Sequence, residues 1–284
     1  GKNVSTTGIR RTYSIMLSRV NFPELVNHRF PVRNIKLTMR IKITSDSTCD
    51  LSQELVEKFN IGIIPLTVVK DDNSYLDGVD ITPADIFAHV AAGGDLCSTT
   101  AMNVGEYADW FAKFADDYDG IIHINIGSAF SSSYQNACLA AEDFENVRVI
   151  DSQNLSTGQG LIVLKAFELA QTCTDLDDLK AQLDEFTTHV EASFLLDQLK
   201  YMAKGGRCSS AAALGANLLN LKPCIEVKGG KMSVVKKYRG NYSKCLSSYV
   251  KDRLAERDDL MHGVFSGPAR QDPESDLRVF FLYI

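Results

Sequence analysis

Three short stretches of the chain collect hydroxyl groups. Ser45-Asp46-Ser47-Thr48 follows the run RIKIT, Ser98-Thr99-Thr100 precedes AMNVGEY, and Gly127-Ser128 with Ser131, Ser132 and Ser133 follows IIHINI. The chemistry open to such groups is neutral hydrogen-bond donation. A helix N-terminus adds free N–H groups and partial positive charge, so a hydroxyl-rich loop entering a helix suits an anion. None of the three stretches contains Lys, Arg or His, and Asp46 makes the first less anion-friendly still. A dianionic phosphate would usually recruit a base or a metal, whereas a monoanionic carboxylate can be held by a few neutral donors. The competing reading of each loop is plain capping, for which Ser and Thr are among the preferred residues.

Other chemistries leave weaker traces. A serine nucleophile needs a base and an oxyanion hole, and the chain has no G-x-S-x-G. STGQG lacks the Gly-Lys-Ser/Thr ending of a phosphate loop and is too short for a dinucleotide fingerprint, so Gly158 and Gly160 read as sites of close helix packing. His123, mid-strand with apolar neighbours, reads as a satisfied core histidine. Asp46, Asp50 and Asp151 match no metal-ligand spacing. Arg207, just after Gly205-Gly206, is either a surface arginine beyond a helix cap or a guanidinium able to make paired bonds to a carboxylate or phosphate. Neither a catalytic residue nor a metal site is expected.

Loops of this kind need a frame. A chain of 284 residues suffices for one large or two modest domains, and 45% hydrophobic with 23% charged residues is an ordinary globular composition. The net charge of −6 argues against nucleic acid or an anionic membrane as a general partner. No apolar run approaches the roughly 20 residues of a membrane span. The seven cysteines are scattered without a C-x-x-C, which fits small buried hydrophobes in a reducing cytoplasm.

Apolar runs at 40–44, 61–69, 120–126 and 147–151 read as strands, with Pro65 marking an edge or bulge in the second. Helix starts stand between them: Asp50 with Gln53, Thr82 with Pro83, Asn103 with Glu106, and Ser132 with Gln135. LCSTTAMN reads as a polar loop. Strand, loop and helix in repetition predict right-handed crossovers and a mostly parallel sheet, with ligands beyond the carboxyl ends of its strands. After about residue 173 the pattern changes. Thr174 and Asp177 open a charged helix, EASFLL reads as a strand, CIEVKGGKMSVVKKYRG as a hairpin turning at Gly229-Gly230, and NYSKCLSSYVKDRLAERDDL as a helix before the strand-like HGVFSG.

The expected fold class is therefore α/β: a mostly parallel, Rossmann-like sheet domain over residues 39–173 and an α+β domain over 174–284. Residues 1–38, rich in Lys and Arg with only Glu24 against them, read as a basic leader or extension outside the fold, with Met39 as the natural start.

Five motifs in order resemble the DegV family, the bacterial fatty-acid-binding proteins that serve fatty acid kinase. ITSDSTCDL (43–51) resembles its opening strand and T-D-S-T-x-D-L loop, and STTAMNVGEY (98–107) its T-S-x-P segment with Met102 in place of proline. INIGSAFSSSYQNACLAAE resembles I-S-S-x-L-S-G-T-Y-Q-S-A, with Gly127 for the first serine, Ser128 for the second and Ser132 for the glycine. VIDSQNLSTGQG (149–160) resembles the V-I-D-S element, and residues 198–240 the L-x-x-L-x-K-G-G-R-I signature, the L-L-N-x-K-P-I and the Arg-Gly after the hairpin. The family's closing strand and histidine-bearing element have no counterpart before the final DLRVFFLYI, so the C-terminal domain reads as truncated.

The resemblance implies two domains with a lipid between them, its tail in an apolar tunnel. It implies a fatty-acid-binding protein that holds a long-chain fatty acid and presents the carboxylate to a separate kinase subunit for acyl-phosphate formation, hence a role in phospholipid synthesis. Thr99, Thr100, Gly127 and Ser128 would hold the carboxylate, Asp46 and Ser47 are candidates for the headgroup loop, and Arg207 and Arg239 for partner docking. No cofactor is implied beyond the bound fatty acid, and no nucleic acid; membrane contact would be transient, in the cytoplasm. The alternative is an enzyme, either a small-molecule phosphotransferase or a serine hydrolase using Ser128.

Overall fold

Strands buried on both faces read as near-continuous apolar runs; β6 (Gly120–Asn125) is largely of this kind, while β1 (Ile41–Asp46) is buried although only Ile41 and Ile43 in it are apolar. The structure, a computed structural model, describes residues 38–197, 200–208 and 221–255. β1 and β6 pair in parallel from Ile41↔Gly120 to Ser45↔Ile124. Flanked by β2 (Gly62–Ile64) and β7 (Val147–Asp151), they make a four-stranded parallel sheet in the order β2-β1-β6-β7. β6 supplies Ile121, Ile122 and Ile124, all fully buried, each contributing about 1.5–3 kcal/mol of transfer free energy.

Alternation sends these side chains to two cores. Ile43, Ile122, Ile124 and Ile150 face one side, covered by α1 (Gln53–Lys58), α5 (Ser156–Ala170) and α6 (Leu176–Thr187). Ile121, Val147 and Val149 face the other, against Tyr107 and Phe111 of α3 (Val104–Ala115) and the alanines of α4 (Ser133–Ala141). Gly160 fulfils its expected role: a Cβ there would come within 2.6 Å of the Cys49 carbonyl oxygen.

Several expectations are corrected. IGIIPLTVV is not one strand. Proline cannot donate to a ladder, and beyond Pro65 the chain leaves the parallel sheet for β3 (Thr67–Lys70), which pairs with β4 (Asn73–Leu76) and β5 (Ser98–Thr100) in a separate antiparallel sheet. The β3–β4 turn has Asp71 and Asp72 at φ 50° and 60°, positions where Asn or Gly is the usual signal. Ser98–Thr100 is thus a strand and not a loop. Ser52, not Asp50, caps α1, and Asp175 caps α6. Thr82 and Asn103 do form capping boxes, at α2 (Pro83–Ala91) and α3.

α6, expected in the second domain, packs Leu176, Leu179 and Leu183 into the core of the parallel sheet, and Asp177 pairs with Arg148 of β7. A boundary at 173 would sever that core. Beyond α6 the chain builds a three-stranded antiparallel sheet of β8 (Ala192–Leu195), β9 (Leu221–Lys228) and β10 (Lys231–Arg239), in the order β10-β9-β8. The hairpin turns at Gly229 and Gly230, with φ 53° and 73°, as the sequence predicts. α7 (Lys200–Gly205) precedes it and α8 (Tyr242–Leu254) packs on it through Tyr249, whose hydroxyl meets Ser193. The basic leader up to residue 37, residues 218–220 of the L-L-N-x-K segment, HGVFSG and the chain's last residues lie outside the described residues.

Candidate functional site

β1, β6 and β7 run in parallel, so their loops emerge at one end of the sheet. The first turns inward. Asp46 is fully buried: Oδ2 accepts from Ile126 N at 2.7 Å and Asn125 Nδ2 at 3.3 Å, while Oδ1 accepts from Gln159 Nε2 at 2.8 Å, Thr48 N at 3.2 Å and the Thr48 hydroxyl. Burial pushes its pKa up, against the lowering effect of those donors. Ser47 Oγ donates to Asp77 Oδ2 at 2.7 Å and accepts from Leu66 N at 3.1 Å. The family resemblance makes both residues candidates for the headgroup loop. Their polar atoms instead fasten β1 to β6, to α5 and to the start of β3, which corrects that expectation for Asp46 above all.

The third loop faces outward. Gly127 N–H donates to the Asn154 carbonyl at 2.7 Å, and Phe130 N–H to the Gly127 carbonyl at 2.8 Å. A Cβ at Gly127 would lie 3.0 Å from both Asn154 N and Phe130 Cδ2, so this tight turn favours glycine. Ser128 is exposed, with its N–H donating to Asp151 Oδ1 at 2.9 Å and its hydroxyl to Asp151 Oδ2 at 2.5 Å. Gln153 N–H also reaches Asp151 Oδ1, at 2.9 Å. Ser132 holds the N-cap position of α4 without capping it; Ser131 Oγ accepts from Ser133 N at 3.2 Å instead. Residues 128–132, Tyr134 and Gln135 line an open depression at this point, without a charged side chain.

Thr99 and Thr100 stand exposed on β5, opposite Val68 and Thr67. Two bonds tie this strand to the same end of the parallel sheet. Leu66, next to Thr67, is held by Ser47, and Asn136 Nδ2 of α4 donates to the Met102 carbonyl at 2.6 Å. Behind Ser128 lies an apolar core. Phe130 and Ile126 pack with Phe194, Ile225, Val227 and Met232 of the antiparallel sheet. A serine-rich, uncharged depression thus adjoins a buried apolar core.

Arg207 and Arg239 are exposed elsewhere. Arg207 caps its own helix by donating to the Gly205 carbonyl at 2.7 Å, and Arg239 ends β10. Neither is bonded to the hydroxyl rim. His123 is buried with Nδ1 2.8 Å from Thr44 Oγ1, but Nε2 has no hydrogen-bond partner, so it is only half satisfied. Among the described residues no three His, Cys, Asp or Glu side chains gather to hold a metal ion, and no helix is long and apolar enough to cross a membrane.

Sequence reasoning missed Gln159 and Asn125, the amides around Asp46, and weighed Asp151 only as a cation ligand. An acid closing a strand beside a hydroxyl loop is the signal that was present for Asp151.

The family model described as "Uncharacterised protein, DegV family" matches residues 40–260. A DegV domain-containing protein of Clostridium perfringens is 34% identical over 203 residues, 71% of this chain and 73% of the relative. Among solved structures, a DegV family protein of Thermus thermophilus described for its fatty acid binding is similar with a TM-score of 0.71 at 31% identity, over 76% of this chain and 78% of that one. A stearic acid-binding protein of Eubacterium ventriosum is similar with a TM-score of 0.67 at 29% identity, over 77% of this chain and 78% of that one.

Proposed function

This chain belongs to the DegV family, and on that premise we propose that it binds a long-chain fatty acid. The acid's carboxyl group lies at Thr99, Thr100, Gly127 and Ser128, and its tail lies along the apolar body that begins at Phe130. What supports this reading is an uncharged, serine-rich depression beside the apolar core that includes Phe130, in a fold whose solved relatives bind fatty acids. The protein presents the acid to a separate kinase subunit and has no chemistry of its own, with Arg207 and Arg239 as docking residues. It acts in the cytoplasm, with transient membrane contact, in the supply of acyl groups to phospholipid. The lipid lies between two domains whose division falls after α6.

The energetics fit a carrier. A sixteen-carbon tail gains roughly 12 kcal/mol gross at ~0.8 kcal/mol per methylene, against an estimated 4–15 kcal/mol for lost freedom. The tail supplies the affinity and the rim sets orientation. As for the hydrolase alternative, the Ser128 hydroxyl is bonded to a carboxylate and not to an imidazole.

Mass spectrometry of an organic extract of the purified protein tests the reading, with a co-purified fatty acid as the expected result. The double variant Thr100→Ala, Ser128→Ala should bind roughly 10- to 100-fold more weakly, at ~1 kcal/mol or somewhat more per hydrogen bond. Unchanged affinity would refute the headgroup assignment, and an empty wild-type extract with turnover of ATP or esters would favour the enzyme.

A further inference from the structure

A helix that is apolar on both sides needs cover on both sides, and α2 has it on one. Ile86, His89 and Val90 form its half-buried side, and His89 Nε2 reaches the β3–β4 turn, 3.6 Å from Asp71 Oδ1. Ala84, Phe87, Ala88 and Ala91, spaced to share the other side, are all exposed, and no residue of α2 is fully buried. The chain around it continues the apolar exposure. Leu76 is 40% exposed, Val79 68%, Phe87 42% and Leu96 37%, half of the eight large hydrophobics that stand exposed among the described residues. The layer that carries them is thin: β3 buries only Val68, and β4 and β5 bury no residue. Apolar exposure gathered in this way marks an interaction surface.

The charges of the same layer select what covers it. Leu76, Val79, Phe87 and Leu96 each have an aspartate within two positions, at Asp77, Asp80, Asp85 and Asp95. From Lys70 to Leu96 there are six aspartates against Lys70 alone, with His89 beside Asp71. Asp77 accepts from the Ser47 hydroxyl, Asp80 from Leu76 N–H and Asp85 from Thr82 N–H, all neutral donors. Among the described residues neither these three nor Asp95 has an ion-pair partner. Lys70 acts on Asp85 only through space and lies over the Tyr75 ring, 5.0 Å from its centroid.

A second copy of this face would set six aspartates against six, and an anionic bilayer would be repelled in the same way. We propose that α2 and the chain beside it dock a cationic amphipathic helix of another protein. The apolar stripe of that helix covers Phe87, and its lysines or arginines meet Asp77, Asp80, Asp85 and Asp95. Phe87 is the anchor, an aromatic side chain at the centre of a ring of charge. This docking face is separate from Arg207 and Arg239 and does not depend on the fatty-acid reading.

The test is fluorescence anisotropy of a labelled synthetic helix, Leu on one side and Lys on the other, titrated with the full chain. The same helix with Glu in place of Lys is the control. The Lys helix should bind and the Glu helix should not, and added salt should weaken binding because the charges are exposed. Phe87→Ser should bind the Lys helix roughly tenfold more weakly, having lost the anchor. Ala88→Lys sets a cation in the middle of the exposed side and should weaken binding further by repulsion. Both positions are exposed, so both variants should fold; circular dichroism checks this, and either folded variant is enough. Equal binding of the two helices, no binding of the Lys helix to the wild type, or unchanged affinity in a folded variant overturns the proposal. So does a wild-type dimer in sedimentation that Phe87→Ser dissociates, since a second copy would then be the cover.

Discussion

Lowering the pH from neutrality towards 3 is expected to remove on the order of 4 kcal/mol of stability through His123 alone. Burial lowers its pKa from 6.5 to about 3. The unfolded chain takes up a proton as the pH falls below 6.5, while the native state refuses one until about 3, so the native state loses stability across that window. The structural reason is the half-satisfied ring. Nδ1 meets Thr44 Oγ1 at 2.8 Å, Nε2 has no partner, and Tyr107 and Phe111 stand edge-on to the imidazole with centroids 5.4 Å away. A second ring proton would be a charge in an apolar layer. Domains are typically stable by only ~5–15 kcal/mol, so the loss is a large share. Urea midpoints at pH 7 and pH 4.5 should differ accordingly, and the imidazole signal should show no titration in the folded protein near 6.5. A folded-state titration at that value would sink the prediction.

Asp46 works in the opposite direction. Its pKa is raised by burial, so above the ordinary Asp value the native state binds more protons than the unfolded one. Its share of stability is full at low pH and declines as the pH rises. Between the two ordinary values the His123 and Asp46 slopes oppose each other. Asp46→Asn should therefore steepen the acid loss.

The parts legible in the sequence are those written by local rules. Full burial gives β6 its apolar run, Thr82 and Asn103 cap as their spacing predicts, and Gly229-Gly230 turns where the backbone needs positive φ. The parts that stayed hidden depend on partners far along the chain. Ser98–Thr100 looks like a loop because its strand character comes from pairing with β3, thirty or so residues away. α6 looks like the start of a new domain because its charged outer face hides the apolar side laid on β7. At the site, residue types single out Ser128 and the two threonines as expected donors. They did not show that Asp46 turns inward, since Gln159 lies 113 positions away from it. Nor did they show that Ser128 gives its proton to Asp151, 23 positions on.

Asp46→Ala is expected to cost about 3–4 kcal/mol, because the buried donors left behind have no acceptor and each unsatisfied group costs about 1–3 kcal/mol before relaxation. Ile126 N and Thr48 N lose their side-chain acceptor at once, and the Gln159 amide keeps only Ser45 Oγ at 3.0 Å and the Ile124 carbonyl at 3.4 Å. Asp46→Asn should cost about half as much, since one amide oxygen still accepts from Ile126 and Gln159 can turn its own amide to meet the new N–H group. Urea unfolding separates the two, and equal midpoints for Asp46→Ala and the wild type would contradict the network's weight. The consequence reaches the ligand rim by a short path. Ile126 is pinned by Asp46, Gly127 is pinned by Asn154, and Ser128 comes next in the chain. Releasing the first pin lets the turn that aims Ser128 drift, so fatty-acid loading should fall in Asp46→Ala even at temperatures where the variant is folded, and be largely restored in Asp46→Asn. On the proposed reading, a buried acid away from the carboxyl site is thereby expected to affect how well that site holds its ligand. Its inward turn is the structural condition for a rim built from neutral hydroxyls.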